Sequence, residues 1–305
     1  MTVTIGVAPT GVGARLHIPG LRQRPDVAIR PVRLPHVDIP VAPLRWDTQT
    51  ALDGLDLFIL ATPPYCHVRH ADLLLRVGVP VICEKPAGLN AAEARQIADC
   101  AEQSGAECRV NFQLRFHPLV RRARTLAAAE PPREIAITCS SSARSSRSGR
   151  PAWYWQREAG GGVWFSLLPH LVDLAYHLGV QPLEVTVTRA LPTAGPDRGI
   201  DAITVHALCQ DERRLTLTAD PLADATRLAI SFRDTPGREL AVFDLTADGA
   251  NPWLTAFSAC ADAIVLGGYS VDLNGCATLQ DAARAHEVIR AVRVSITSGV
   301  GVPVS

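Results

Sequence analysis

VPVICEKPAG, residues 79–88, opens with apolar and β-branched side chains and stops at a carboxylate, an ammonium and a proline. Val79, Val81, Ile82 and Cys83 read as a buried strand, and Glu84, Lys85 and Pro86 end it. In an open parallel α/β sheet, ligands bind in the crevice outside the carboxyl ends of the strands, so a reacting side chain would sit here. The same residues also read as a Glu-Lys pair closing a surface turn. The flanking segments decide.

Upstream, Leu55 to Ala61 (LDLFILA) is another buried strand, broken by Thr62-Pro63-Pro64, and His67 to Val77 follows as an amphipathic helix. Downstream, Ala91 to Ser104 is a helix with an Asn cap and early acids, and Glu107 to Phe112 is a short strand. At the N-terminus, Val3 to Ala8 is a strand, Pro9 to Ala14 a glycine turn, and about Arg15 to Gln23 a helix. Strand, glycine turn and helix form the context of a dinucleotide fingerprint. Gly11 meets the demand for close backbone approach to a pyrophosphate, and Ala14 the demand for a small residue where helix packs on strand. Pro9 stands where the tight-turn glycine belongs, bringing a fixed φ and no N–H.

Asp26 to Leu34 is the second strand, with Pro31 pointing to an edge. An Asp or Glu that would read an adenosine ribose is missing from its end, where Arg33 stands instead. An arginine there accommodates a 2′-phosphate, which favours NADP over NAD; the alternative is a solvated edge arginine. From Pro35 to Arg45 the chain is proline-rich, as if a crossover helix had been cut to a loop.

This alternation predicts an α/β fold with a doubly wound parallel sheet in a dinucleotide-binding domain, residues 1–115. The remainder, 116–305, changes character. Strand-like runs at Glu134 to Ser140, Leu183 to Arg189, Ala202 to Cys209, Arg213 to Ala219, Arg227 to Phe232 and Leu240 to Leu245 predict an α+β domain with a large open antiparallel sheet. Helices are expected at Val163 to Leu178, near Trp253 to Leu266 and from Leu279 to about Ile296. Ser140 to Arg150 is a basic polar loop that either closes on an anionic group through Arg144, Arg147 or Arg150, or is simply solvated.

The 305 residues carry 30 Lys plus Arg against 30 Asp plus Glu, so no global field recruits nucleic acid or an anionic membrane. The expected partner is a small molecule. No apolar run is long enough to span a bilayer, and the start MTVTIGV lacks a basic region followed by an apolar one, which points to a cytoplasmic protein. The eight cysteines are scattered singly, a usage that favours reduced, buried thiols over a disulfide framework or a metal site.

One segment is more specific than the fingerprint. In Ala159 to Leu174, three glycines open a helix on which His170 and Asp173 share a face. A histidine beside a carboxylate is a competent acid/base near neutral pH, whereas a lone histidine on an apolar helix is ordinary core. Trp153, Tyr154, Trp155, Trp164 and Phe165 cluster around the glycines, either stacking on a ligand or packing the core. Gln113 and Arg115, after the last strand of the parallel half, are candidates for substrate contact or for surface ion pairs.

With these residues in place, the chain resembles the glucose-fructose oxidoreductase, inositol dehydrogenase and MocA (Gfo/Idh/MocA) family of nicotinamide-dependent oxidoreductases. The resemblance is carried by the glycine turn with His17 beyond it, ATPPYCH at 61–67, CEKP at 83–86, NFQLRFHP at 111–118, AGGG with His170 and Asp173, TLQDAARA at 278–285 and the closing SGVGVPV. It implies a Rossmann domain and a second domain whose sheet forms a dimer or tetramer interface. It assigns cofactor contacts to Thr10, Gly11, Val12, Gly13, Arg33, Thr62, Pro64, His67, Glu84 and Lys85. Lys85 would lie near the nicotinamide and the reacting oxygen, with a cis bond to Pro86; His170 would exchange the proton, with Asp173 either orienting it or anchoring the helix, and Arg115, Trp153, Trp155 and Ser166 would face the substrate. The family commonly carries a catalytic Asp where this chain has Ser166. That departure, with Pro9, the absent acid and the shortened crossover, keeps a second reading open: a relative using the crevice for lyase, isomerase or cyclase chemistry, or for binding alone.

Overall fold

The computed structural model describes residues 2–35, 51–140, 161–192, 200–220, 223, 225–234, 238–249, 251–266 and 270–305. The shortened crossover, the basic loop after Ser140 and Trp153, Tyr154 and Trp155 lie outside the described residues. Two compact units are formed, Met1–Gln113 with Phe257–Ala283 and Leu114–Ala256 with Arg284–Ser305. The return of 257–283 to the N-terminal unit has identifiable causes. Val110 N–H donates to Ala277 O at 2.8 Å, and the Arg24 guanidinium, 2.7 Å from Asp26, also reaches Asp262 at 2.6 Å.

The first unit holds β1 (Val3–Val7), β2 (Val27–Pro31), β3 (Leu57–Leu60), β4 (Val81–Glu84) and β5 (Cys108–Asn111), all parallel, in the order β2-β1-β3-β4-β5. Strands β3 and β4 are buried at every residue, as expected where both faces of a parallel sheet are covered. Strand β2 is an edge, so Pro31, its last residue, removes no interior ladder bond. The strand order reverses between β1 and β3, so the switch-point crevice of this sheet opens where the glycine turn and Thr62 emerge. Helix α1 (Ile18–Leu21) follows the glycine turn, α2 (His67–Leu75) joins β3 to β4, and α3 (Ala91–Ser104) joins β4 to β5. The expected cap of α3 forms: Asn90 Oδ1 accepts Glu93 N–H at 3.0 Å, and Glu93 reaches back beyond the cap residue, its Oε2 accepting Leu89 N–H at 2.8 Å.

The second unit is built on a seven-stranded sheet. Its strands are β6 (Glu134–Ser140), β7 (Pro182–Pro192), β8 (Ile200–Cys209), β9 (Arg214–Asp220), β10 (Arg227–Arg233), β11 (Glu239–Asp244) and β14 (Val302–Pro303), ordered β11-β10-β6-β9-β8-β7-β14. Every pairing is antiparallel except β6 with β9. The alternating burial of β6 and β9 shows one face packed and the other open. Helix α4 (Pro118–Ala129) precedes β6, and α5 (Val163–Ser166) and α6 (Leu168–His177) lie between β6 and β7. α7 (Pro252–Ile264), the short pair β12 (Val265–Leu266) and β13 (Ser270–Val271), and α8 (Leu279–Ser298) complete the chain.

The single helix expected over Val163 to Leu178 is two, with Leu167 off helical geometry at φ −114° between them. Pro169 is the cause: it offers no N–H to the carbonyl four residues back, and its ring would strike that carbonyl, whereas in the first turn of α6 neither matters.

The β8–β9 hairpin turns at Gln210-Asp211-Glu212-Arg213, with Asp211 at φ 59° and Glu212 at φ 58°. Two positive φ values define a type I′ turn, whose second central position favours glycine. Glu212→Gly should therefore raise stability by about 0.5–1 kcal/mol. Chemical denaturation checks it, and an unchanged or lower midpoint would contradict the assignment of strain.

Candidate active site

In the first unit the fingerprint differs from its sequence reading in two ways. Thr10 N–H donates to Ala8 O at 2.8 Å, a γ-turn centred on Pro9, and proline's fixed φ suits that geometry. The tight turn thus forms without the missing glycine. The small-residue position also shifts. Ala14 is exposed, whereas a Cβ on Gly13 would lie 2.1 Å from Ala8 O and 3.1 Å from Ala61 Cβ, so Gly13 is the residue that helix-to-strand packing requires. The reason is local geometry: Gly13–His17 is a π turn, closed by Ile18 N–H to Gly13 O, which accommodates one residue more than an α turn. Gly11, at φ +47° with open space where its Cβ would be, leaves a cradle that backbone N–H groups can offer to a pyrophosphate. Thr10 and Gly11 are exposed and Val12 is half-buried; the Arg15 guanidinium donates to Gly11 O at 3.2 Å, and Arg33 is exposed after β2.

At the end of β4, Glu84 is buried. Its Oε1 accepts Asn111 Nδ2–H at 2.6 Å and lies 2.6 Å from His17 Nε2, and its Oε2 accepts Lys85 N–H at 3.2 Å. Burial pushes this carboxyl up, but the hydrogen bonds from His17 and Asn111 and the charges of His17 and Lys85 outweigh it and hold it below the usual range. Glu84 is therefore an ionised anchor that fixes the backbone of Lys85, and its carboxylate is engaged within the unit. His17 also meets the Phe257 ring edge-on at 4.7 Å. Lys85 is half-buried and its bond to Pro86 is cis.

Thr62 is half-buried at the end of β3, and Pro64 opens a short 3₁₀ turn. His67 is fully buried, with Nδ1 2.9 Å from Pro86 O and Nε2 2.8 Å from Thr62 O. Assigned to the cofactor from sequence, its ring nitrogens instead face the chain's own carbonyls. Burial lowers the imidazole to about 4, against the pull of both carbonyls and of Glu84. With a folded value below the ordinary 6.5, the neutral ring contributes full stability above pH 6.5, and that contribution is lost as pH falls toward 4. The loss reaches about 3 kcal/mol. Comparing denaturation of wild type and His67→Gln at neutral and acid pH isolates it; parallel pH dependences would contradict it.

In the second unit, α6 carries His170 and Asp173, both buried. The Asp173 carboxylate grips Arg115 two-toothed, with Arg115 Nε 3.1 and 3.0 Å from its oxygens and Nη2 at 2.6 Å. Side-chain exposures of 11% for Arg115 and 1% for Asp173 make this a desolvated pair, which fixes the guanidinium. The His170 ring lies 5.0 Å from that of Trp253, tilted by 55°. Ser166 is half-buried at the end of α5, and Trp164 and Phe165 are buried. Trp253 was not legible as a site residue, since its contact with His170 exists only in the folded chain. Asn111 and His70 were: a polar residue ending a buried strand, and a second histidine three places after His67.

All eight cysteines are free thiols, seven of them buried. Among the described residues no helix is long and apolar enough to cross a membrane.

A sequence model of the oxidoreductase family with an NAD-binding Rossmann fold matches residues 37–112, and one of the GFO/IDH/MocA C-terminal domain matches residues 131–233. The chain is 30% identical over 159 residues to the rhizopine catabolism protein MocA of Rhizobium meliloti, covering 51% of this chain and 48% of that protein. It is 27% identical over 189 residues to inositol 2-dehydrogenase of Rhizobium meliloti, covering 57% and 55%. The chain spans about half the length of the curated relatives it matches. Its fold is similar to that of GenD2 from gentamicin A biosynthesis, solved in complex with NAD, with a TM-score of 0.78 at 20% identity over 100% of this chain and 97% of that one. With a parallel Rossmann-type sheet, a mixed and mostly antiparallel second sheet, and a family match in each half, the chain belongs to the Gfo/Idh/MocA oxidoreductase family.

Proposed function

We propose that this protein is an NAD(P)-dependent dehydrogenase acting on a secondary hydroxyl, or the corresponding ketone, of a small sugar-like or cyclic polyol substrate. The observation that carries the reading is the set of groups at the carboxyl ends of three adjacent strands of one unit: the Gly11–Gly13 cradle after β1, Thr62 after β3 and Lys85 after β4. Such a rim suits a dinucleotide. The nicotinamide, when bound, supplies the hydride acceptor or donor. The chain supplies position and field. The Lys85 ammonium, its backbone fixed by Glu84, stabilises charge on the substrate oxygen, and His170 takes or returns the hydroxyl proton. Asp173 holds Arg115 as a fixed cation for substrate contact, with the Ser166 hydroxyl, Trp153 and Trp155 as further substrate contacts. Arg33 favours NADP over NAD.

The substrate class draws support from relatives named inositol 2-dehydrogenase, D-xylose 1-dehydrogenase (NADP(+)) 2 and D-glucoside 3-dehydrogenase. The open face of the second sheet carries a groove of about 450 Å³ whose lining includes Thr186, His206, Arg214, Arg233 and the exposed Leu208. That face would join copies of the chain into a homo-oligomer, in a cytoplasmic setting. The test is a panel of cyclic polyols, aldoses and glycosides with NAD⁺ and NADP⁺, read by nicotinamide absorbance. Reduction with at least one cyclic substrate is expected; none across the panel, with cofactor bound, would direct attention to non-redox chemistry.

A further inference from the structure

We infer that His67 and His70 are positioning residues that clamp the loops at the cofactor rim of the first unit, an inference that rests on the cofactor reading above. Three places apart on α2, they share one helical face. His67 meets Pro86 O at 2.9 Å and Thr62 O at 2.8 Å. His70 places Nδ1 3.0 Å from Thr62 Oγ1 and Nε2 2.9 Å from Pro35 O. Pro35 follows β2, Thr62 follows β3 and Pro86 follows β4, so His70 bridges the exits of β2 and β3 and His67 lies against those of β3 and β4. The Thr10 hydroxyl, donating to Ala61 O at 3.1 Å, adds the exit of β1.

The protons can be assigned. A carbonyl only accepts, so His70 Nε2 carries the hydrogen that Pro35 O receives, and Nδ1 then accepts from the Thr62 hydroxyl. With its proton committed inward, the Thr62 oxygen is left as an acceptor. A neutral His67 has one N–H for two carbonyls, so it donates to one of them and its unprotonated nitrogen makes no hydrogen bond to the other. A histidine that merely fills a core needs a partner or two from its own surroundings. Here the four ring nitrogens face loops after three different strands and make three hydrogen bonds, two at His70 and one at His67.

The test uses the full chain and the variants His70→Leu and His70→Gln. In the cofactor-free protein, His70→Leu should speed amide hydrogen exchange about tenfold at Val32, Arg33 and Leu34 and at Thr62, Tyr65 and Cys66, the factor one hydrogen bond is worth, and leave Val81–Glu84 as slow as before. The dissociation constant for reduced nicotinamide cofactor should rise by about the same factor. His70→Gln, whose amide offers one donor and one acceptor, should restore both. If His70→Leu does not fold, Thr62→Val removes only the hydroxyl and should speed exchange at position 62, Tyr65 and Cys66 alone. Wild-type exchange in these loops, or acceleration spread evenly through the unit, overturns the clamp. A wild type that binds neither NADH nor NADPH contradicts the cofactor reading, and the exchange pattern then decides the clamp by itself.

Discussion

Lys85→Met should lower turnover at saturating cofactor by about 10²–10⁴-fold. The expectation follows from how the residue is built into the fold. Its backbone is fixed by the Glu84 carboxylate, which His17 and Asn111 hold in place, so exchanging the side chain removes the ammonium without disturbing the end of β4. Methionine keeps most of the stem's volume and loses the charge. Steady-state kinetics with the substrate found in the panel, alongside a cofactor titration, checks it. Turnover near wild type would remove Lys85 from the chemistry, whereas lost cofactor binding would make it a binding residue.

The second large effect is expected at His170. His170→Ala should reduce turnover by about 10²–10⁴-fold, and the pH profile in the direction of alcohol oxidation should lose the acid limb that a histidine base imposes. The ring is buried beside Trp253, so the substitution also opens space next to the indole. His170→Gln, closer in volume, separates the two effects: a chemical role predicts the same loss in both variants, and a packing role predicts recovery in the glutamine. Full turnover in the alanine variant at saturating substrate would exclude His170 from proton transfer.

Most of the fold could be read from the chain because its elements obey local rules. The apolar runs of β3 and β4 are long enough for strands and too short for helices, the Asn90 cap marks the start of α3, and turn residues separate β8 from β9. What escaped the reading depends on spacing finer than a pattern or on contacts distant in sequence. A π turn exchanges the roles of Gly13 and Ala14, and nothing local marks the extra residue. Pro169 did announce the break between α5 and α6, since a proline inside a helical run ends or restarts it. The Glu84 anchor joins positions 17, 84 and 111, and the Arg115–Asp173 pair joins residues 58 apart; only folding brings such partners together. Glu84 and His67 were assigned to the cofactor through the resemblance carried by ATPPYCH and CEKP. In the structure their polar atoms serve the chain itself, one holding Lys85 and the other holding loops.

Binding of nicotinamide cofactor by the wild-type chain is the most direct test of the account, since the glycine cradle, Thr62, Arg33 and Lys85 all depend on it. Titration with NADH and NADPH, followed by nicotinamide fluorescence, should give saturable binding below about 1 mM, tighter for NADPH. Absence of binding by either at that concentration would contradict it.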